Sequence, residues 1–172
     1  MNNYIFNIFG FYSCWWLGLY GAYSNLFYLG PLALLIFLLL HFYKVVNHPN
    51  EYKYLIICLF LGLIIDTMNI RLGLISYKGI IPLKYGISPL WAISLWVCFG
   101  ATVFHSFKWL HKKYIMSSIL GFLTSPIIYI SANKLGVVTF NQNYLYVLII
   151  VSFIWAFFIP LYVYIADKLI EK

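Results

Sequence analysis

The chain alternates between long apolar runs and short polar joints. A membrane-crossing helix needs about 20 mostly apolar residues at about 1.5 Å rise each. Six runs reach that length, near Tyr4–Tyr23, Leu26–Val46, Tyr52–Leu74, Pro89–Phe107, Tyr114–Ala132 and Tyr144–Ala166. Little more than Ser24 and Asn25 separates the first two, which predicts a tight antiparallel hairpin. The expected fold class is all-α: a polytopic membrane helix bundle of six transmembrane helices in a single domain, residues 1–172. The joint Ile75–Ser88, with SYKGIIPLKYG at its centre, is too polar and too punctuated by Gly and Pro to span, and is free to fold back over the bundle. No convincing internal repeat and no linker divides the pattern. The opening MNNYIFNIFG lacks a basic segment and a small-residue cleavage site, so it reads as the start of a retained first helix.

Composition narrows the class further. The chain is 64% hydrophobic, 22% aromatic and only 9% charged, whereas about a quarter of a soluble domain's residues are charged. A soluble surface cannot be built from this inventory. The net charge of +7 arises from Lys and Arg lying between apolar runs, a topology signal of membrane proteins rather than a nucleic-acid footprint. Lys44, Lys53, Lys108, Lys112, Lys113, Lys168 and Lys172 fall on one side, against Arg71, Lys78, Lys84 and Lys134 on the other. That bias predicts both termini in the cytoplasm of a multi-pass protein of the bacterial inner membrane. Tyr and Trp crowd the ends of the runs, as at Trp15, Trp16, Tyr52, Trp109 and Tyr144, which is the pattern of an interfacial belt. Cys14, Cys58 and Cys98 each sit inside an apolar run without a CxxC spacing, so they read as small buried thiols.

Small residues mark where helices approach. Ser94, Cys98, Thr102 and Ser106 recur every four residues in the fourth run, and Ser117, Gly121 and Ser125 do so in the fifth. Such stripes let backbones pack closely where no hydrophobic drive exists between helices.

The chemistry concentrates in Leu61–Arg71, where Asp66, Asn69 and Arg71 interrupt an apolar stretch. An ionisable side chain at such depth costs roughly 2.5–3.5 kcal/mol on insertion scales and marks a functional site by default. Asn69 shares a helical face with Asp66. Tyr129 and Asn133 continue the fifth-run stripe past Pro126, and Trp91 opens the fourth run at the same predicted level, the extracytoplasmic half. Asp66, Asn69, Trp91, Ser125, Tyr129 and Asn133 are therefore the expected lining of one outward ligand-binding cavity. The alternative is that Asp66, protonated or hydrogen-bonded to Tyr129, only glues helices together. Arg71 lies about 140° around the helix from Asp66 and is expected to snorkel to the interface.

A second polar set, Asn7, His41 and His105 with Glu51 in the adjoining loop, lies toward the predicted cytoplasmic side. Each histidine reads as interfacial, because no HExxH, HxxxH or equivalent spacing supplies a third ligand. No metal site and no cofactor is expected. There is also no Gly-x-Ser-x-Gly, P-loop or dinucleotide fingerprint.

These residues carry a resemblance. The order Asn7 and Trp15, His41, Gly62-x-x-x-Asp66 and Gly73, Pro89-Leu90-Trp91 with Leu95-Trp96, Trp109-Leu110, Gly121 with Pro126 and Tyr129, then Leu135-Gly136 resembles a bacterial inner-membrane family catalogued only as a domain of unknown function. Members of that family are often encoded near cyclopropane-fatty-acid-synthase-like methyltransferases, which implies a role in envelope lipid metabolism. The Gly62-x-x-x-Asp66 and Gly73 pattern is also similar to the third helix of rod-shape-determining membrane proteins of the MreD type, which resemble six-helix substrate-binding subunits of vitamin importers.

Three functions stay open. The first is binding or moving a small amphipathic or lipid-like molecule in the Asp66 cavity. The second is a lipid-modifying membrane enzyme with Asp66 or His105 as acid or base. The third is a structural subunit of an envelope complex that binds another membrane protein. Membrane lipids are the expected surroundings in all three, and nucleic acid is a partner in none.

Overall fold

The computed structural model describes residues 3–46, 48–79 and 86–171. Among the described residues six α-helices follow in order: α1 (Asn3–Tyr23), α2 (Leu29–Lys44), α3 (Glu51–Arg71), α4 (Leu90–Val103), α5 (Tyr114–Lys134) and α6 (Tyr144–Ile170). Two three-residue strands, β1 (Ile75–Tyr77) after α3 and β2 (Val138–Phe140) after α5, pair antiparallel. The helical class stands, with this small ribbon added from segments read only as loops.

Three helices, α3, α5 and α6, are long and apolar enough to cross a membrane. The helices α2 and α4 are apolar but have 16 and 14 residues, about 24 and 21 Å at 1.5 Å per residue. Each is shorter than the run that suggested it. Asn25 adopts φ 62° and Leu26 N donates to Gly21 O at 2.7 Å, so the α1–α2 hairpin consumes residues expected to be helical. At the far end of α4, Phe107 N bonds back to Thr102 O at 2.8 Å and the chain continues as a single 3₁₀ turn, Lys108–Leu110. Glu51, expected in a loop, is instead the first residue of α3. Lys84 and Lys172, counted in the orientation argument, lie outside the described residues.

The structure also exposes a repeat that the sequence reading did not find. Arg71-Leu-Gly-Leu-Ile-Ser-Tyr77 and Lys134-Leu-Gly-Val-Val-Thr-Phe140 match position for position. In each, a basic residue closes the helix, where it complements the dipole. A glycine then takes the left-handed conformation, Gly73 at φ 65° and Gly136 at φ 68°. The same pair of bonds closes both ends: Gly73 N to Ile70 O (2.9 Å) with Leu74 N to Asn69 O (3.1 Å), and Gly136 N to Asn133 O (2.9 Å) with Val137 N to Ala132 O (3.1 Å). That is a Schellman cap, which favours glycine because a Cβ is penalised at positive φ. The two strands pair with Ser76 opposite Thr139, which are equivalent positions in the repeat. The pairing is therefore symmetric about the Ser76–Thr139 pair, which relates β1 to β2 by a local two-fold.

Close helix contacts follow the small residues. A Cβ on Gly121 would meet Trp155 O of α6 at 2.5 Å, and Ser125 Oγ contacts Ser152 Oγ at 3.5 Å. Ser94, Cys98, Thr102 and Ser106 are all buried. The three cysteines are buried and unbridged. Outward, the surface is apolar along the helix flanks, with Phe9, Ile115, Ile127, Leu145 and Phe157 each more than half exposed. A monomer in water rarely leaves so much apolar area uncovered.

Candidate functional site

Asp66 sits on the fifth turn of α3, 2% exposed, and its carboxylate is met from three other segments. Tyr77 of β1 donates its hydroxyl to Oδ1 at 2.7 Å. Trp96 of α4 donates Nε1–H to Oδ2 at 3.0 Å, and Ser88, just before α4, donates to the same oxygen at 3.4 Å. Ser88 is itself held by its backbone N–H, which donates to Thr67 Oγ1 at 3.2 Å. Burial and the neighbouring Asp66 carboxylate push the Tyr77 hydroxyl well above the ordinary phenol range. Tyr77 therefore keeps its proton and stays a donor.

Local sequence explains why Trp96 can arrive there. Gly62 lies one turn before Asp66 on the same face, and a Cβ on it would stand 2.5 Å from Trp96 Cβ. The bare backbone is the seat of the indole. Trp91 is fixed by its own Nε1–H, which donates to Lys78 O at 2.8 Å, and its ring meets Tyr77 edge-on at 5.8 Å.

These side chains surround a cavity of about 250 Å³. Asp66 lies at its base, with Tyr77, Trp91, Trp96, Tyr129 and Trp155 as aromatic walls. Trp96 and Trp155 lie 4.9 Å apart, and Tyr129 meets Trp155 edge-on at 6.3 Å. The cavity opens between α1 and α5, lined there by Phe11, Tyr12, Trp15, Thr124 and Ile128. Tyr12 and Thr124 are exposed, and both sit near the middle of 21-residue helices. The mouth is thus on the flank of the bundle, not at its end.

The expected lining residues divide. Asp66, Trp91 and Tyr129 line the cavity, with Tyr129 and Tyr77 hydroxyls 3.4 Å apart. Asn69 lies beside the Tyr129 hydroxyl but behind the wall, fully buried and outside the cavity lining. Ser125 serves the α5–α6 contact. Asn133 donates to Val138 O at 2.9 Å and ties α5 to β2. Neither reaches the cavity. Arg71 is exposed at the end of α3 and does not approach Asp66. Sequence reasoning missed Tyr77, Ser88, Trp96 and Trp155. The one available signal was Gly62, whose spacing to Asp66 reserves a place for a large neighbour.

The second polar set also assembles. His41 Nε2 lies 2.7 Å from Glu51 Oε1 and His105 Nε2 lies 2.8 Å from the same oxygen. Asn7 Nδ2 faces His41 Nδ1 at 3.3 Å and donates to Ala101 O at 3.2 Å, while its Oδ1 accepts from Ser106 at 2.8 Å. The expectation that the two histidines lack a third group is corrected: Glu51 is that group. It was hidden because its chain spacing to His105 has no local periodicity.

Residues 4–161 match the family described as a protein of unknown function (DUF2878). No curated protein and no solved structure matches the chain.

Proposed function

The chain belongs to the DUF2878 family of proteins of unknown function, and from its geometry we propose that it is a multi-pass membrane protein that binds or moves an amphipathic cation. The observation that carries this reading is the charge balance. Of four acidic residues in the chain, three have basic partners: Glu51 with His41 and His105, Asp167 with His111, and Glu171 with Lys112 and Lys168. Asp66 has none among the described residues. Its three donors are neutral, and a buried carboxylate without a counter-charge is costly. A cationic headgroup supplies what the protein omits.

The walls support the same ligand. Aromatic faces attract cations through the ring quadrupole, by about 0.5–2 kcal/mol each, and aromatic enclosures recognise quaternary ammonium groups. The flank opening faces the hydrocarbon layer if the helices stand across a bilayer. The volume is below the roughly 300–1,000 Å³ of drug-sized sites, which suits a headgroup or chain segment whose remainder stays in the lipid. We place six helices across the bacterial inner membrane, both termini cytoplasmic and Asp66 in the extracytoplasmic half. Membrane lipids are then both surroundings and the pool from which a ligand enters.

The test is binding to purified protein in nanodiscs, read by tryptophan fluorescence. Dodecyltrimethylammonium should bind saturably and dodecyl sulfate should not. Asp66→Asn should weaken the former at least about tenfold, or about 1.4 kcal/mol. Equal affinity in wild type and Asp66→Asn overturns the reading. A second reading, a lipid-modifying enzyme, draws on the convergence of His41 and His105 upon Glu51. The structural-subunit reading draws only on Ser125 and Asn133, whose bonds serve packing.

A further inference from the structure

We propose that His41, Glu51 and His105 form a binding site for a divalent transition-metal ion of borderline softness, with Zn²⁺ as the type, at the end of the bundle opposite Asp66. The site is separate from the cavity: Glu51 and Asp66 are fifteen residues apart on α3, or about 22 Å at 1.5 Å per residue.

Three segments deliver three ligands, of two types that such an ion prefers. His41 comes from the last turn of α2, Glu51 from the first residue of α3, and His105 from the segment just after α4. Their ligand atoms all lie within 4.8 Å of one another. The imidazole rings stand 5.1 Å apart at 76°, so both Nε2 atoms converge on the carboxylate from different directions. Two imidazole nitrogens and a carboxylate are ligands Zn²⁺ accepts, and three protein ligands leave a fourth position for water.

Hydrogen bonding alone does not account for the arrangement. Both histidines address Oε1, while Oε2 of the same fully buried carboxylate has no hydrogen-bond partner among the described residues. An unpaired buried carboxylate oxygen costs free energy that a cation in front of both oxygens recovers. His105 is 14% exposed and marks the side from which an ion enters, while His41 and Glu51 are closed off.

Asn7 completes the geometry around His41. A histidine that ligates through Nε2 carries its proton on Nδ1 and donates it to an outer partner. A half-turn of the Asn7 amide presents Oδ1 to that N–H. Its Nδ2 then donates to Ser106 Oγ, whose own proton goes to Tyr4 O at 3.1 Å. In the unturned orientation the amide donates to Ala101 O, a bond that the turn gives up. Loading displaces the Nε2 protons, which leave to solvent or move to Nδ1.

The experiment uses the full chain in nanodiscs, stripped with chelator, reloaded with zinc chloride, desalted and analysed for metal by mass spectrometry. Wild type, Asp66→Asn and a variant of His48, whose Nδ1 accepts from Asn50 N at 3.2 Å just before α3, changed as His48→Ala, should each retain about one Zn²⁺ per chain. His105→Ala and Glu51→Gln should lose it or bind at least tenfold more weakly. X-ray absorption on the wild type should show nitrogen and oxygen neighbours at about 2.0–2.2 Å. Should Glu51→Gln fail to fold by circular dichroism, His105→Ala, whose side chain is partly exposed, decides the matter. A wild type that retains no zinc, or a folded His105→Ala that retains as much as wild type, overturns the proposal.

Discussion

Tyr77 and Asp66 form the shortest bond at the cavity base, 2.7 Å between hydroxyl and Oδ1. Hydrogen bonds to charged groups contribute more than neutral ones, roughly 1.5–3 kcal/mol net. Tyr77→Phe removes the donor and keeps the ring, so the protein should lose about that much stability, read as a lower melting temperature in nanodiscs. In an Asp66→Asn background the same change should cost less, because the two residues are in contact and their effects do not add. An identical loss in both backgrounds would show that the hydroxyl does not act through the carboxylate. Asn69 is a contrast at the same scale. Its amide is fully buried, and the Tyr129 hydroxyl is the polar group beside it.

At the scale of elements, α3 and α4 are fitted to each other at two glycines, Gly62 of α3 against Trp96 and Gly100 of α4 against Cys58. Gly62 gives Trp96 its seat, and Ala there would put a Cβ 2.5 Å from Trp96 Cβ. Overpacking of this kind costs about 1–3 kcal/mol, and here it also pushes the indole N–H away from Asp66. Gly62→Ala should therefore lower the melting temperature and weaken ammonium binding together. Loss of stability with unchanged affinity would separate the seat from the site. The apolar runs were legible because run length is a local property of the chain. The ends of α2 and α4 were not, because they are set by the Asn25 turn and by the bond from Phe107 N to Thr102 O. The repeated Leu-Gly caps escaped notice for another reason. Seven matching residues carry little weight until two strands pair across them.

At the scale of the molecule, the prediction concerns which face is which. The native thiols are buried, so introduced cysteines report alone. With Ser76→Cys on the ribbon and Glu171→Cys beyond α6, a membrane-impermeant maleimide should label the first in intact cells and the second only after permeabilisation. The reverse pattern inverts the proposed topology, and labelling of both in intact cells abolishes it. The flank cavity and the histidine–glutamate cluster then lie toward opposite faces of one bundle.

The sequence alone determined the helical class, the apolar exterior and the anomaly of a lone Asp in a long apolar run, because each depends only on composition and run length. Tertiary structure alone decided that Tyr77, Ser88 and Trp96 meet that carboxylate, that Ser125 and Asn133 turn away, and that Glu51 joins His41 to His105. The physical reason is rotation. Helices apolar on every side carry no hydrophobic stripe, and the small-residue stripes of α4 and α5 mark a packing face without saying which side chains of other helices meet it. Close contacts at glycine and the closure of the β1–β2 ribbon set that rotation, and both are made between residues far apart in the chain.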